Sequence, residues 1–321
     1  MASAFRAVVI GVGHLGRHHA RILSAMDDVD LVGVVDVDAD RVRNVSLEYG
    51  TDIITDVRAV LSNVDGVVVA VPTQDHLSVA VPLLEAGVSV LVEKPIASSS
   101  SEADVILRSA ATSGATLAVG HTERHNPAVV AARELISAPG FIEVHRLSTF
   151  QSRSLDIDVV FDVMIHDLDI VLSLVGSEPV SLEAVGIPVL TDRIDIANAR
   201  LRFESGCIAN LTASRISREQ VRKLRVFQPH ALVTVDYAEQ QVEAWKVSRT
   251  NNGSPAVEGG PIEVETIEPL ECELLDFVSS VRDGVEPSVT GVAGRRALAV
   301  AEAITQAMKH TNHLPGAEEN S

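Results

Sequence analysis

Between residues 5 and 120 the chain alternates short apolar runs with amphipathic stretches. The runs predict strands at Ala7–Ile10, Leu31–Val35, Ile53–Thr55, Gly66–Val71, Val88–Val92 and Ala115–Val119. The stretches between them predict helices at Leu15–Met26, Asp40–Tyr49, Val57–Ser62, His76–Ala86 and Glu102–Ser113. Ser99 and Glu102 have capping-box spacing for the last of these. Strands that are apolar without alternation are buried on both faces, and repeated strand–helix units join parallel neighbours. The pattern therefore predicts an α/β fold with a doubly wound parallel sheet.

After about residue 122 the pattern changes. A helix at Pro127–Ser137 precedes a strand at Phe141–Phe150 and a helix at Val160–Val175. Long, partly alternating strands follow between Val180 and Val247, including Ala197–Phe203, Cys207–Ala213, Lys223–Phe227 and Leu232–Tyr237. Alternation implies a sheet with one covered face, mainly antiparallel. Arg249–Gly260 reads as a loop, Leu270–Arg282 and Ala293–Lys309 as closing helices, and His313–Ser321 as a frayed tail. Two domains are expected: 1–122 on the parallel sheet, and 123–321 as an α+β domain on an open, mainly antiparallel sheet.

Composition narrows the partners. Hydrophobic residues make up 46% of the 321 and aromatics only 3%, so the cores must be aliphatic. A net charge of -18 argues against nucleic acid or an anionic membrane surface as a partner. Cys207 and Cys272 cannot build a disulfide framework, which points to a reducing cytoplasm. No apolar run reaches membrane-spanning length, and the start of the chain lacks a signal-type apolar core.

Gly11-Val12-Gly13-His14-Leu15-Gly16 follows the first strand and opens the first helix. The first glycine permits a tight turn, the second lets backbone approach a pyrophosphate, and the third lets helix and strand pack closely. The helix start then offers N–H groups to the phosphates. A bare glycine triplet is a weak signal, but here strand, turn and helix come in order. Asp36 ends the next strand, 25 residues after Gly11. Its carboxylate suits an adenosine ribose and repels a 2′-phosphate, so NAD is expected over NADP. Arg41 and Arg43, which might receive such a phosphate, fall within the following helix. The Val71-Pro72-Thr73 loop with His76 lies at the same sheet edge; Thr73 can touch the cofactor, and His76 is either a ligand or a helix-start residue.

Glu93-Lys94-Pro95 follows the apolar run Val88–Val92. The carboxyl end of a parallel strand is where open α/β sheets bind ligands. Burial lowers a lysine pKa from about 10.4, and such an amine can stabilise an alkoxide. The plainer reading is a lysine snorkelling from a strand end. Pro95 fixes the adjacent backbone and is a candidate for a cis bond.

Phe161–Val175 is apolar nearly all round. At about 100° per residue, Asp162, His166, Asp169 and Ser173 fall on one narrow stripe, with Asp167 on the far side. Burying such a stripe is costly unless its groups are paired or used. Asp162 is placed to orient the His166 imidazole, whose ordinary pKa of about 6.5 suits proton transfer. No HExxH or cysteine cluster accompanies them, so no metal is expected.

Taken together, the GVGHLG turn, Asp36, VPTxxH, EKP, and the helix with Asp162 and His166 resemble the Gfo/Idh/MocA oxidoreductases across almost the whole chain. The resemblance implies an N-terminal Rossmann domain and a C-terminal domain whose open sheet commonly forms a dimer or tetramer interface. It implies that Lys94, Asp162 and His166 are catalytic, with Gly11, Gly13, His14, Leu15, Gly16, Asp36, Thr73, His76 and Glu93 around NAD. The strings GHLGRHHA, VGHTERHNP, FIEVHRLSTF, RSLDIDVVFDVMIHDLDI, DRIDIANARLRF and NLTASRIS are similar to the branch that oxidises UDP-N-acetylglucosamine at C3. That branch supplies an aminotransferase in 2,3-diamino lipid A synthesis. His125 departs from relatives that carry an aromatic there.

On this reading the substrate lies near Arg124, Asn126, Arg146, Arg153 and Asp169. A diphosphate needs cations in so acidic a chain; Arg146, Arg153 and the run Arg215–Arg225 are candidates, the run reading equally as a solvated strand edge or a subunit contact. The residues leave open whether His166 or a neutral Lys94 takes the hydroxyl proton. The alternatives are a dehydrogenase of another polyol, such as an inositol, and an NAD-sensing module without turnover.

Overall fold

A computed structural model describes residues 3–56, 58, 61–150, 157–249 and 254–311. The chain divides into two compact units, 1–122 with 268–298, and 123–267 with 299–321.

The first unit holds a six-stranded sheet of β1 (Phe5–Ile10), β2 (Val29–Val35), β3 (Asp52–Ile53), β4 (Gly66–Val69), β5 (Ser89–Glu93) and β6 (Leu117–Gly120). Its order is β3-β2-β1-β4-β5-β6, with every pairing parallel. The order reverses between β1 and β4, where such sheets bind their ligands. Helices α1 (His14–Ala25), α2 (Ala39–Tyr49), α3 (His76–Glu85) and α4 (Ser100–Ser113) connect the strands. Ser99 caps α4 as expected, but Glu102 accepts from the Ser98 N–H instead of closing the box on Ser99. Of the helix expected at Val57–Ser62, residues 57, 59 and 60 lie outside the described residues, and Leu61–Asn63 is a single 3₁₀ turn.

A division at residue 122 alone omits one piece of this unit. Helix α7, Pro269–Asp283, packs Leu274, Phe277 and Val278 into the first core. Phe277 meets Phe5 edge to face at 6.2 Å. The sequence pattern marks α7 as amphipathic; only the packing says which core it joins.

The second unit contains β7 (Phe141–Leu147), β8 (Pro179–Ile187), β9 (Ile196–Phe203), β10 (Ile208–Ser214), β11 (Val221–Gln228), β12 (Ala231–Asp236), β13 (Gln241–Arg249) and β14 (Pro255–Ile262). The order is β14-β13-β12-β11-β7-β10-β9-β8, antiparallel except for β7 beside β10. β14 corrects the loop expected over Arg249–Gly260 from Pro255 onward, and residues 250–253 lie outside the described residues. It carries two prolines and two glycines, which an edge strand tolerates and a central strand does not. Helix α5 (Pro127–Arg133) ends earlier than expected because the Gln228 side chain takes the Ser137 and Ala138 N–H groups and donates to the Leu135 carbonyl. Helix α6 is Ile165–Val175, preceded by a π-turn at Val160–Met164. The last helix, α8 (Gly291–Thr311), gives residues to both units. The tail expected to fray lies outside the described residues.

The loop between β8 and β9 closes on Asp195. This buried carboxylate accepts the N–H groups of Val189, Leu190 and Thr191 at 2.7–2.9 Å and pairs with Arg215 at 2.8 Å. Burial works against its charge, but these donors hold its pKa well below the usual carboxylate range. A depressed folded-state pKa gives stability that is complete above the unfolded value of about 3.9 and fades as pH falls below it. Asp195→Ala removes the carboxylate that faces the buried Arg215 guanidinium and accepts three loop N–H groups, and should cost about 3 kcal/mol or more in urea unfolding. Its difference from the wild type should shrink as the pH is lowered from 4 towards 2.

Candidate functional site

The glycine turn is built as its spacing requires. Gly11 has φ +85°, and a Cβ there would lie 2.7 Å from the Ala70 and Val71 backbone. The β1 and β4 loops are therefore in contact at the reversal point of the sheet. A Cβ on Gly16 would lie 1.7 Å from the Gly11 carbonyl oxygen, so α1 sits directly on the turn. A Cβ on Gly13 meets nothing within 4 Å. Backbone at Gly13 is thus open to a close approach, and α1 begins there without a side-chain cap. A pyrophosphate fits that combination. His14 and Leu15 are exposed at the helix start.

Asp36 organises the next loop. Its carboxylate accepts the Val12 N–H at 2.8 Å and the Asp38 N–H at 2.9 Å. Arg41, from α2, reaches it at 3.2 Å and also reaches Asp38 at 3.3 Å. The arginine is therefore committed to two acids, which keeps the edge suited to a ribose rather than a 2′-phosphate.

Thr73 opens a 3₁₀ turn after β4, half-buried. His76 is buried, with Nδ1 3.0 Å from the Pro95 carbonyl and Nε2 2.9 Å from the Val71 carbonyl. Burial lowers its pKa. A neutral imidazole has one N–H, so His76 donates to one of these two carbonyls and lies against the other, between the β4 loop and the Lys94–Pro95 segment. Lys94 itself is half-buried and precedes a cis peptide bond to Pro95. Glu93 is buried, its Oε1 2.7 Å from His19 Nε2 and its Oε2 accepting the Lys94 N–H at 3.1 Å. His19 carries no signal of its own in the glycine motif; its position one turn into α1, facing the end of β5, is a tertiary fact.

In the second unit, Asp162 lies in the π-turn and His166 in the first turn of α6, both half-buried. The Ile165 N–H reaches back to the Val160 carbonyl, an i→i+5 bond. That widened turn breaks the 100° wheel that aligned Asp162 with Asp169 and Ser173. Ser173 donates to the Ile170 carbonyl at 2.7 Å, an internal helix bond. Asp167, expected on the far side, is buried and accepts two bonds from Arg146, at 2.8 and 2.9 Å. Asp169 is equally buried and accepts from Arg124 at 2.7 and 2.6 Å.

Arg146 also reaches Glu123 at 2.9 Å and stacks over Tyr237. A guanidinium so fully engaged does not support the expected diphosphate contact. The signal was present: Ile142, Val144 and Arg146 share the inward face of an alternating strand. Asn126 caps α5 through the Ala128 N–H and donates to the Tyr237 carbonyl. Arg215, at the head of the basic run, is turned inward to Asp195, whereas Arg218 is exposed. Lys223 pairs with Asp236 at 3.4 Å and Arg225 with Glu143 at 4.0 Å, so the run does not act as one patch. Arg153 lies outside the described residues.

Among the described residues, the only group of histidine, cysteine or carboxylate side chains close enough to hold a metal is His19, Glu93 and Glu273. No helix of the described residues is long and apolar enough to cross a membrane.

Comparison with known proteins agrees with this architecture. Residues 5–121 match a family described as an oxidoreductase family with an NAD-binding Rossmann fold, and residues 138–233 match the GFO/IDH/MocA C-terminal domain. The chain is 39% identical over 298 residues to a UDP-N-acetylglucosamine 3-dehydrogenase from Acidithiobacillus ferrooxidans, covering 92% of this chain and 95% of that one. The solved structure of a protein of that name and organism superposes with a TM-score of 0.90 at 37% identity, covering 96% and 99% of the two chains. An inositol 2-dehydrogenase from Rhizobium meliloti is 25% identical over 95% of this chain and 97% of its own.

Asp36 anchors the turn through the Val12 N–H and is the carboxylate expected to face the ribose. Asp36→Ala should weaken NAD binding by roughly 10- to 100-fold, the value of one or two hydrogen bonds to a charged group. Fluorescence titration with NADH checks this; unchanged affinity would remove Asp36 from the cofactor site.

Proposed function

Since the chain belongs to the Gfo/Idh/MocA oxidoreductases, an NAD-binding family, we propose that it oxidises the C3 hydroxyl of UDP-N-acetylglucosamine to a ketone. The observation that carries this reading is the likeness, over nearly the whole length, to the Acidithiobacillus enzyme of that activity.

The first unit supplies the cofactor residues. The Gly11–Gly16 turn takes the pyrophosphate, Asp36 the ribose, and Thr73 borders the same edge. NAD, when bound, supplies the hydride acceptor. Lys94 donates to the substrate oxygen and stabilises the negative charge that develops on it. His166 takes the hydroxyl proton, and Asp162 orients the imidazole for that transfer. A positioned base and a positioned cation each contribute roughly 10²–10⁴-fold. On the substrate side, the Arg124–Asp169 pair gives α6 a fixed polar edge. Arg146 and Asn126 support that edge through Asp167, Glu123 and Tyr237 rather than by touching the sugar nucleotide.

The ketone product is an electrophile suited to an aminotransferase, which places the reaction before a transamination on the way to 2,3-diamino lipid A. A nucleotide-sugar substrate and NAD support a cytoplasmic location. A homodimer or homotetramer is supported by the outer face of the eight-stranded sheet. Trp245, Leu232, Phe227 and Phe141 are successive register partners there, and Trp245 and Phe227 each keep 37% of their surface exposed.

A panel of UDP-sugars and polyols, read by NADH absorbance, tests the substrate. UDP-N-acetylglucosamine should be preferred. Preference for an inositol would move the chain towards the Rhizobium relative, and inertness to every substrate would favour an NAD sensor. Lys94→Ala should retain NADH binding while turnover falls roughly 10²–10⁴-fold.

A further inference from the structure

Glu273 lies on the face of α7 that enters the first core, beside Leu274 and one turn before Phe277. It is only 1% exposed, and its carboxylate oxygens make no close hydrogen bond, with Thr122 the side chain that comes nearest to giving one. Atoms of Glu273, Glu93 and His19 lie within 4.8 Å of one another. Two carboxylates this close in an apolar setting do not both ionise. Glu93 has the donors: His19 on α1 and the Lys94 N–H. Gly120 on β6 leaves it room, since a Cβ there would come within 3.0 Å of its carboxylate. The two acids are thus placed in opposite states. Burial would raise Glu93, but His19 and Lys94 hold it below the usual carboxylate range. Burial, and then the charge of Glu93, push Glu273 well above its ordinary value; Thr122 opposes this less than Glu93 promotes it.

We propose that Glu273 is a positioning residue for Lys94, carried as a neutral acid so that Glu93 stays the single anion, committed to His19 and the Lys94 peptide. The inference rests on the proposed role of Lys94. The charged and titratable groups facing the two acids are His19 from α1, His76 from α3, Lys94 after β5, and Asp276 on α7 itself. When Glu273 ionises, its charge repels Glu93 and loosens the peptide that carries Lys94. A metal held by the same three side chains fits less well. Ligand atoms about 2.1 Å from a cation stand about 3 Å or more apart, whereas His19 and Glu93 are in direct contact at 2.7 Å.

Glu273→Gln, which mimics the neutral acid, tests this on the full-length protein. Infrared spectra at pH 7.5 should show a protonated carboxylic-acid band in the wild type that is missing from the variant. A raised folded-state pKa means that the folded wild type binds the extra proton, so its stability falls as pH rises above the unfolded value of about 4.3. Relative to wild type, the folding constant of Glu273→Gln should therefore rise about tenfold per pH unit from 5 to 7. The alkaline limb of kcat should move to higher pH in the variant, with KM for NAD unchanged. Stability curves that run parallel with pH, or absence of the Glu273-dependent band, would overturn the proposal. So would a stoichiometric metal in the purified wild type that the variant lacks. If Lys94→Ala keeps full turnover, the assignment of Lys94 fails; the band and the stability curves still report the state of Glu273 separately.

Discussion

The Glu93 carboxylate is the constraint around which the first unit is arranged. It ends a strand buried on both faces, where an unpaired charge costs several kcal/mol. The fold meets that cost with the His19 imidazole and the Lys94 peptide N–H. The first partner lies on the helix that begins at the glycine turn, and the second belongs to the residue assigned to the reacting oxygen. A single buried charge thereby ties the helix of the glycine turn to the segment that carries Lys94. The buried His76 ring adds packing at the same place, wedged between the Pro95 and Val71 carbonyls and donating to one of them. Position of the turn and position of the lysine are therefore coupled properties.

The second unit uses the same device with more charges. Asp167 and Asp169 are buried on α6 and are matched by Arg146 from β7 and Arg124 from the turn before α5. Such pairs add little stability over well-packed apolar residues. What they specify is register: a helix apolar on almost every side could rotate or slide on its sheet, and two bidentate pairs fix one orientation. That orientation also sets Asp162 and His166, because both precede Asp167 on the same continuous segment.

Much of this was legible in the chain. Continuous apolar strands separated by helical stretches imply parallel pairing, because only two-sided burial makes a strand apolar at every position. The glycines, Asp36 and EKP were legible for a related reason: each needs a particular residue type at a particular point of a local turn. β14 was hidden because glycine and proline read as loop until a neighbouring edge makes pairing possible. The π-turn was hidden because a wheel assumes its own period. Charge alone makes Arg146 a candidate for a phosphate, while its strand alternation turns it inward to Asp167.

The sequence by itself determined most of the strands and helices and the glycine turn after β1, since these depend on neighbours a few residues apart. Tertiary structure alone decided which charges are spent inside the protein. Arg146 meets Asp167, Arg215 meets Asp195, and Glu273 arrives beside Glu93 from 180 residues further along the chain. The physical reason is that solvation is a property of place. A charged side chain has the same composition in water and in a core, but only the packed fold sets its partners, its exposure and whether it keeps its proton.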